Sequence, residues 1–266
     1  MTAALLEARR LVVQLAGVRV LDGVSLSLPA GRWCAVVGRN GAGKSSLLAA
    51  LAGLRSLQSG EVLLQGQPMA ALPARQRALA LAWLGQSQAA EGELAAIDVV
   101  RLGRLPHQGL LGAWTAQDDA AVAAAMLASD CAGLAGRALS QLSGGERQRV
   151  LLARALEVQA PVMLFDEPLA HLDPPHQVAL ITAVRERCAA GAAVATVLHD
   201  LTLALAADHV IVLERGRIPA EGPPADAALR QALVDVFDGA FSIDSLQREG
   251  QPQWVVMPRL PSRPRV

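Results

Sequence analysis

A glycine-rich segment, placed between an apolar run and a helical pattern, has the residue types needed to hold phosphate groups. It fits the pattern G-x-x-x-x-G-K-[ST] through Gly38, Arg39, Asn40, Gly41, Ala42, Gly43, Lys44 and Ser45. Glycines without a Cβ let several backbone N–H groups approach one anion. Lys44 adds a positive charge, and the Ser45 hydroxyl is an oxygen ligand suited to Mg²⁺. We predict that this phosphate loop, with Ser46 just beyond it, binds the phosphates of a nucleotide.

Two adjacent carboxylates follow a second apolar run. Residues 162–165 have the composition of a buried strand, and Asp166 and Glu167 come directly after them. Successive residues leave a strand on opposite sides, so the two carboxylates face different atoms. We predict that Asp166 faces Mg²⁺ and that Glu167 is the general base for water that attacks the γ-phosphate.

A second helix N-terminus with exposed amides is predicted after Leu142. Residues 142–149 read LSGGERQR, with Ser143 placed as the N-cap and with Gly144 and Gly145 in the first turn of a helical pattern. A chain with one phosphate loop has little use for a second amide cluster on the same nucleotide, unless two copies face each other. We therefore predict a head-to-tail dimer with two composite sites.

Alternating strand and helix patterns must position these segments. Apolar and β-branched runs predict two strands joined by a turn over residues 5–28, and further strands at 32–37, 61–64, 79–84, 162–165 and 194–198. After Gly43 the spacing of Leu47, Leu48, Leu51 and Leu54 is helical. Strands that alternate with helices indicate an α/β fold.

Residues 87–140 have a different, purely helical pattern. One apolar stripe contains Val99, Val100, Leu102 and Leu105, and another contains Val122, Met126 and Leu127 after a capping box of Thr115 and Asp118. We predict a helical subdomain over 87–140, inserted into a nucleotide-binding α/β core of residues 1–86 and 141–222. Residues 223–266 are predicted to be a C-terminal extension with two short helices, a hairpin of 241–245 with 254–257, and a loose tail.

Composition excludes several classes of function. The 24 Lys and Arg residues balance 24 Asp and Glu residues, so we predict no nucleic-acid partner. No apolar run approaches the roughly 20 residues of a membrane-spanning helix. The first ten residues lack the features of a secretion signal, so we expect the chain to stay in the cytoplasm. Cys34, Cys131 and Cys188 lack metal-ligand spacing and are predicted to be buried apolar residues.

Taken in order, these motifs resemble those of ABC-transporter ATP-binding subunits, over about residues 5–222. The motifs are the phosphate loop, Gln86, residues 142–149, Asp166 with Glu167, Asp173 and His199. The resemblance implies an α/β fold with a P-loop NTPase core of the RecA-like type, an antiparallel β-subdomain and an inserted helical subdomain. It also implies ATP and Mg²⁺ as ligands.

The same resemblance assigns roles to single residues. Gln86 would contact Mg²⁺ and the attacking water, and His199 would contact the γ-phosphate. Residues 143–145 would contact the partner's γ-phosphate, and Asp173 would lie at the dimer seam. The implied Mg²⁺ ligands are thus Ser45, Gln86 and Asp166, and the implied catalytic residues are Glu167, His199 and Gln86. Outside this set we predict that the remaining histidines are structural or exposed: His107, His171, His176 and His209.

Two positions depart from the family pattern. The family has an aromatic ring that stacks on adenine, where this chain has Leu15, and the chain contains no Tyr. Adenine would then meet aliphatic side chains, Leu15 with Val20, and we predict weak discrimination between ATP and GTP. Ala170 replaces a frequent Ser ahead of the seam aspartate, which removes a hydroxyl contact between protomers.

A narrower resemblance connects the chain with importers of ferric siderophores, haem and cobalamin. It rests on residues 98–107, on Gly109 and Leu110, and on residues 173–177 and 221–224. It implies two copies of this chain under two polytopic membrane permease subunits, on the cytoplasmic face of the inner membrane. A periplasmic substrate-binding protein would deliver the chelate. A packed helix that ends at a proline would also explain residues 98–107.

Two other functions stay open. A soluble ABC-type ATPase of translation or DNA maintenance usually has two fused cassettes, coiled-coil insertions or basic surfaces, and this sequence displays none of them. An exporter cassette is disfavoured by the resemblance at residues 98–107 alone.

Overall fold

Strands and helices alternate along the chain. The computed structural model describes residues 4–86, 93–108, 112–248 and 250–260. The strands are β1 (Ala4–Leu15), β2 (Val18–Pro29), β3 (Trp33–Val37), β4 (Ser59–Leu64), β5 (Gln67–Pro68), β6 (Leu81–Leu84), β7 (Val162–Asp166), β8 (Ala193–Val197), β9 (His209–Glu214), β10 (Arg217–Gly222), β11 (Phe241–Arg248) and β12 (Gln251–Pro258). The α-helices are α1 (Lys44–Leu51), α2 (Ala74–Ala80), α3 (Ala96–Arg101), α4 (Leu105–Gln108), α5 (Ala116–Ala128), α6 (Gly144–Glu157), α7 (Pro174–Ala189), α8 (Leu201–Ala204) and α9 (Ala227–Val236).

A six-stranded sheet lies at the centre, in the order β6-β7-β8-β3-β9-β10. Its neighbouring strands are parallel, except that β10 pairs antiparallel with β9. Every residue of β3, β7 and β8 is buried, as expected for parallel strands covered on both faces. The α/β fold and these three strands are confirmed. The strand predicted at 79–84 is shorter, because Leu79 and Ala80 belong to α2 and pairing with β7 begins at Leu81.

A four-stranded antiparallel sheet, β2-β1-β4-β5, packs against the side of α1 that faces away from the central sheet. Its first two strands are joined by the predicted turn, in which Ala16 and Gly17 both have positive φ. Leu47 and Leu48 of α1 are fully buried in the core that the two sheets share. The helix ends at Leu51, and Leu54 is 60% exposed, so its predicted place in the helical stripe is wrong. The helix that follows the phosphate loop is therefore anchored between two sheets.

The first predicted stripe of the helical region is divided. α3 is followed by a 3₁₀ turn over residues 102–104 and then by α4. Val99 and Val100 are buried, but Leu102 and Leu105 are 43% and 57% exposed, which contradicts their assignment to one buried face. The interruption falls where Gly103 approaches α6 so closely that a Cβ would lie 2.6 Å from the carbonyl oxygen of Arg154.

The second stripe is largely confirmed. Thr115 caps α5, and its reciprocal hydrogen bonds with Asp118 form the predicted capping box. Val122 and Met126 are buried, whereas Leu127 is 70% exposed on the outer side of the helix and was wrongly placed in the stripe.

The described residues of the C-terminal extension contain one helix, α9, where two were predicted. The predicted hairpin is present and longer than expected, as β11 and β12 pair antiparallel from Phe241 to Pro258. The guanidinium of Arg230 on α9 lies 3.7 Å from the ring centroid of Trp254 and so joins the helix to the hairpin. Residues 261–266, which belong to the predicted loose tail, and the motif residues Gly109 and Leu110 lie outside the described residues.

The three thiols are buried as predicted, and burial raises the pKa of Cys34 and Cys131 to about 12 and that of Cys188 to about 11. Within the part of the chain that the structure describes, no helix combines the length and the apolar character needed to cross a membrane. The domain boundaries at 86, 140 and 222 stay a prediction.

Candidate nucleotide-binding and catalytic site

Four functional segments meet at the carboxyl edge of the central sheet. The phosphate loop follows β3, Gln86 comes just after β6, Glu167 follows β7, and His199 comes just after β8. These four strands are parallel neighbours, so their carboxyl ends lie at the same edge, which is where ligands bind in open α/β sheets. The fold thus brings together residues that are far apart in the sequence.

The phosphate loop depends on glycine at two positions. At Gly38 a Cβ would lie 2.1 Å from the carbonyl oxygen of Leu213, and at Gly43 it would lie 2.7 Å from that of Val20. Gly43 also has φ of 105° and is the N-cap of α1, without any side-chain cap. Only glycine allows the backbone to pass this close to its neighbours while leaving amides at the helix N-terminus open to an anion.

Lys44 points into the loop. Its Nζ donates hydrogen bonds to the carbonyl oxygens of Gly38, at 2.8 Å, and Arg39, at 3.0 Å. The side chain is buried, and burial lowers its pKa, while the nearby carboxylates of Glu167 and Asp166 act in the opposite direction. The ammonium group is therefore held at the loop by bonds that a phosphate oxygen can replace.

Asp166 has the features of a cation ligand. It is 3% exposed, and its Oδ1 has no hydrogen-bond partner among the described residues. Burial raises its pKa, partly offset by a hydrogen bond with Ser45. A buried carboxylate oxygen without a partner, beside a serine hydroxyl, is a donor set that fits Mg²⁺.

Glu167 accepts two hydrogen bonds on one oxygen. Its Oε1 lies 2.8 Å from Nε2 of Gln86 and 2.6 Å from Nε2 of His199. The backbone of Glu167 has φ of 53°, a left-handed conformation that costs energy for a residue with a Cβ and that is found often at functional sites. The three side chains predicted to be catalytic therefore form one cluster.

A cavity of about 500 Å³ joins these groups. Its lining residues are Val20, Asn40, Gly41, Gly43, Lys44, Ser45, Ser46, Gln86, Glu167 and His199. Val20, predicted to contact adenine, is thus placed at the cavity. Leu15 is half-buried and packs against the core shared by the two sheets.

The segment 143–145 opens a different helix. Ser143 caps α6 in a reciprocal capping box, in which its Oγ accepts from the Glu146 amide and its own amide donates to Glu146 Oε2. Those hydrogen bonds lower the pKa of Glu146. α6 packs against α3 and α5, whereas α1 packs against β1 and β7. Ser143 and Gly144 are exposed, so their amide cluster faces away from this chain's own core.

The loop before α7 contains a contact that sequence analysis missed. Asp173 is largely exposed, and its carboxylate accepts a hydrogen bond from Nδ1 of His176, which lowers the pKa of Asp173. His176 was predicted to be structural or exposed. The spacing D-x-x-H at a helix N-terminus was the one signal that could have identified the pair, since residues i and i+3 share a helix face.

The C-terminal extension also reaches the phosphate loop, which the sequence did not predict. Asp238 comes just after α9, and its Oδ2 lies 2.5 Å from Nη1 of Arg39. A second cavity of about 470 Å³ beside the first is lined by Gly38, Arg39, Asn40, Leu198, His199, Leu201 and Phe237. The extension is therefore in contact with the nucleotide site.

Known proteins resemble this chain in sequence and in fold. The family model described as ABC transporter matches residues 21–170. The hemin import ATP-binding protein HmuV of Streptomyces coelicolor is 46% identical over 239 residues, which cover 90% of this chain and 85% of that protein. The cobalamin import ATP-binding protein BtuD of Halobacterium salinarum is 40% identical over 240 residues, which cover 90% of this chain and 60% of that protein.

A solved structure of a metal-chelate type ABC transporter in an inward-facing conformation shares the fold. It superposes with a TM-score of 0.80 at 22% identity and covers 98% of both chains. The motifs, their meeting at one edge of the sheet and the extent of these matches agree with one another. The chain therefore belongs to the ABC transporter family, as one of its ATP-binding subunits that hydrolyse ATP.

Proposed function

We propose that two copies of this chain power the import of a metal chelate through a pair of membrane permease subunits. The observation that carries the proposal is the cluster of Glu167, Gln86 and His199 beside the phosphate loop. It is the arrangement that ATP hydrolysis requires, with a carboxylate oriented by two polar side chains at the site of a phosphate. The relatives named for hemin and cobalamin import support the chelate class.

ATP binding uses groups that are already in place. The open amides at the start of α1 and the ammonium group of Lys44 face the triphosphate, and Lys44 exchanges its two carbonyl partners for phosphate oxygens. Ser45, Asp166 and Gln86 would hold Mg²⁺. When bound, that ion neutralises charge on the β- and γ-phosphate oxygens.

Hydrolysis depends on Glu167. Its carboxylate accepts a proton from the attacking water, while Gln86 and His199 fix its direction from two sides. His199 is half exposed at the cavity, where its Nε2–H can be shared between Glu167 and the γ-phosphate. A carboxylate that is already oriented does not have to be ordered at the moment of reaction, which lowers the entropic part of the barrier.

The second copy supplies the other amide cluster. Residues 143–145 face away from their own phosphate loop, and the Ser143 hydroxyl already serves as the helix cap, so the backbone amides of α6 are the groups offered to the partner's γ-phosphate. Asp173 would lie at the seam between the copies. ATP binding then closes the pair, and hydrolysis with release of phosphate reopens it.

Transport would follow from this closure. The chain would sit peripherally on the cytoplasmic face of the inner membrane, held by the permease subunits, and a periplasmic binding protein would deliver the chelate. Selectivity for haem, cobalamin or a ferric siderophore would reside in those partners, because the chelate does not need to contact this polypeptide.

Reconstitution in proteoliposomes tests the proposal. The chain and its permease partner would be purified as one complex, and ATP hydrolysis and uptake would be measured with haem, cobalamin and a ferric siderophore in turn. We expect one chelate to be taken up with ATP, and we expect Glu167→Gln to abolish uptake while ATP binding persists. Uptake that is unaffected by Glu167→Gln, or a complex that transports none of the three chelates, would contradict the proposal.

A further inference from the structure

A four-residue polar cluster connects the loop before α7 with two other elements. His176, in the first turn of α7, is 21% exposed. Its Nδ1 contacts Asp173 in the preceding loop, and its Nε2 lies 2.8 Å from Asp130 Oδ2 and 2.6 Å from Arg149 Nη1. Asp130 lies just after α5, in the region predicted to be the helical subdomain, and Arg149 belongs to α6.

We propose that His176 positions Asp173 for the dimer seam and, through its second ring nitrogen, links that loop to the end of α5 at Asp130. This inference rests on the proposed function, in which Asp173 lies between two copies. Asp173 is the N-cap residue of α7, and its carboxylate accepts from the His176 imidazole and, more weakly, from the His176 backbone N–H in the first turn of the helix. The imidazole is the larger cause of the lowered pKa of Asp173, so the His176 side chain sets the direction of this carboxylate more than the helix end does.

The two partners of Nε2 exclude each other. A hydrogen bond from Nε2 to the Asp130 carboxylate requires that Nε2 carry a proton. A hydrogen bond from the Arg149 N–H to Nε2 requires that Nε2 be unprotonated and present its lone pair. Both forms keep the Nδ1–H bond to Asp173. Protonation of His176 thus exchanges Arg149 for Asp130 as the partner of Nε2, without releasing Asp173.

The charged groups around the ring favour the protonated form. Hydrogen bonds with Asp173 and then Asp130 raise the pKa of His176, and burial and the charge of Arg149 oppose them with smaller effects. Because the folded-state pKa lies above the ordinary value, the link to Asp130 is complete at lower pH and is lost as the pH rises through the raised pKa. His176 would then couple α5 to the seam loop most strongly in the acidic part of the physiological range.

The test measures ATP-dependent dimerisation of the full chain in a Glu167→Gln background, by sedimentation at pH 6.5 and pH 8.5. His176→Ala should raise the dimer Kd by about fivefold, a modest effect because both carboxylates are largely exposed. His176→Asn keeps a donor near the position of Nδ1 and should restore the Kd to within about twofold. His209→Ala is the matched control and should leave the Kd unchanged. In the parent chain Nε2 of His209 lies 3.7 Å from Oε2 of Glu221 on β10.

The link between His176 Nε2 and Asp130 is tested separately. Asp130→Asn should weaken the dimer at pH 6.5 and leave it unchanged at pH 8.5, and it should lower the NMR-measured pKa of the His176 imidazole in the folded monomer. Dimerisation of His176→Ala equal to that of the control at both pH values would overturn the positioning role, as would a His176→Asn variant as impaired as His176→Ala. If the Glu167→Gln chain without further changes stays monomeric with ATP, the composite site of the proposed function is overturned, and the positioning role with it.

Discussion

The parent chain should lose folding stability as the pH rises, because Glu157 is buried, and replacement of Glu157 by glutamine should remove that loss. Glu157 lies at the end of α6 with its side chain 0% exposed, and the nearest cation, Arg104 Nε, is 3.2 Å from its Oε1. The same Arg104 nitrogen donates to Asp118 at 2.8 Å. Within the described residues neither carboxylate oxygen of Glu157 has a hydrogen-bond partner. Burial therefore raises the pKa of Glu157 to about 7.

The sign and size of the effect follow from this pKa. Glu157 is protonated in both folded and unfolded chains below its ordinary value of 4.5, so no penalty exists there. Between pH 4.5 and pH 7 the unfolded chain loses the proton first, and the folded state loses stability relative to it. At 1.36 kcal/mol per pH unit, the loss amounts to about 3 kcal/mol by pH 8. Glutamine resembles the neutral acid, so Glu157→Gln should match the parent at pH 5 and exceed it at pH 8.

Urea unfolding at pH 5, 6, 7 and 8 measures this difference directly. Glu146→Gln on the same helix is the matched control with the opposite sign. The pKa of Glu146 is lowered by the Ser143 amide and hydroxyl and by Arg137, so the change should destabilise at pH 7 and have less effect as the pH falls. A Glu157→Gln chain that is less stable than the parent at pH 8, or that keeps the parent's pH dependence, would refute the reasoning.

Three further outcomes are expected. Gly43→Ala should lower nucleotide affinity at least tenfold and cost about 1–3 kcal/mol of stability, because the new Cβ would lie 2.7 Å from a backbone oxygen. At Gly41 an added Cβ would have no atom within 4 Å, so Gly41→Ala should lower affinity and stability less in the same titration and melting experiments. Leu15→Tyr should strengthen ATP binding by about 1 kcal/mol or more, and the parent should prefer ATP over GTP less than tenfold, as measured by calorimetry. Asp238→Asn should change ATP affinity by less than fivefold and reduce its dependence on salt, since the ion pair with Arg39 is exposed.

Local motifs were predictable from the sequence because a few neighbouring residues determine them. Ser143 was predictable as the N-cap of α6, and Thr115 with Asp118 as a capping box, and the structure contains both. The phosphate loop is similarly local. Strands β3, β7 and β8 were recognisable because a strand buried on both faces is apolar throughout.

Contacts between distant segments were not predictable in this way. Asp130 and Arg149 meet His176 across 46 and 27 residues, and the pair of Arg39 with Asp238 spans 199 residues. Nothing in their types or spacing indicates these partners, because polar residues of this kind are usually solvated.

Errors in apolar stripes have one physical cause. Leu54, Leu102, Leu105 and Leu127 fit helical spacing in the sequence but lie more than 40% exposed. Spacing gives the angle of a side chain around a helix, but it does not say where the helix ends or whether another element covers that face. The interruption at Gly103, which follows from its approach to α6, is an example.

The central claim is that the phosphate loop of one copy and residues 143–145 of another enclose the same triphosphate. Inter-protomer cross-linking tests it in a Glu167→Gln background, because the native cysteines are buried. One chain would carry Gln141→Cys, next to the α6 amides, and a separately purified chain would carry Asn40→Cys in the phosphate loop. A short bismaleimide should join the two chains in the mixture when ATP and Mg²⁺ are present, and in neither chain alone. A mixture that stays uncross-linked with ATP, or that cross-links equally well without it, would contradict the account.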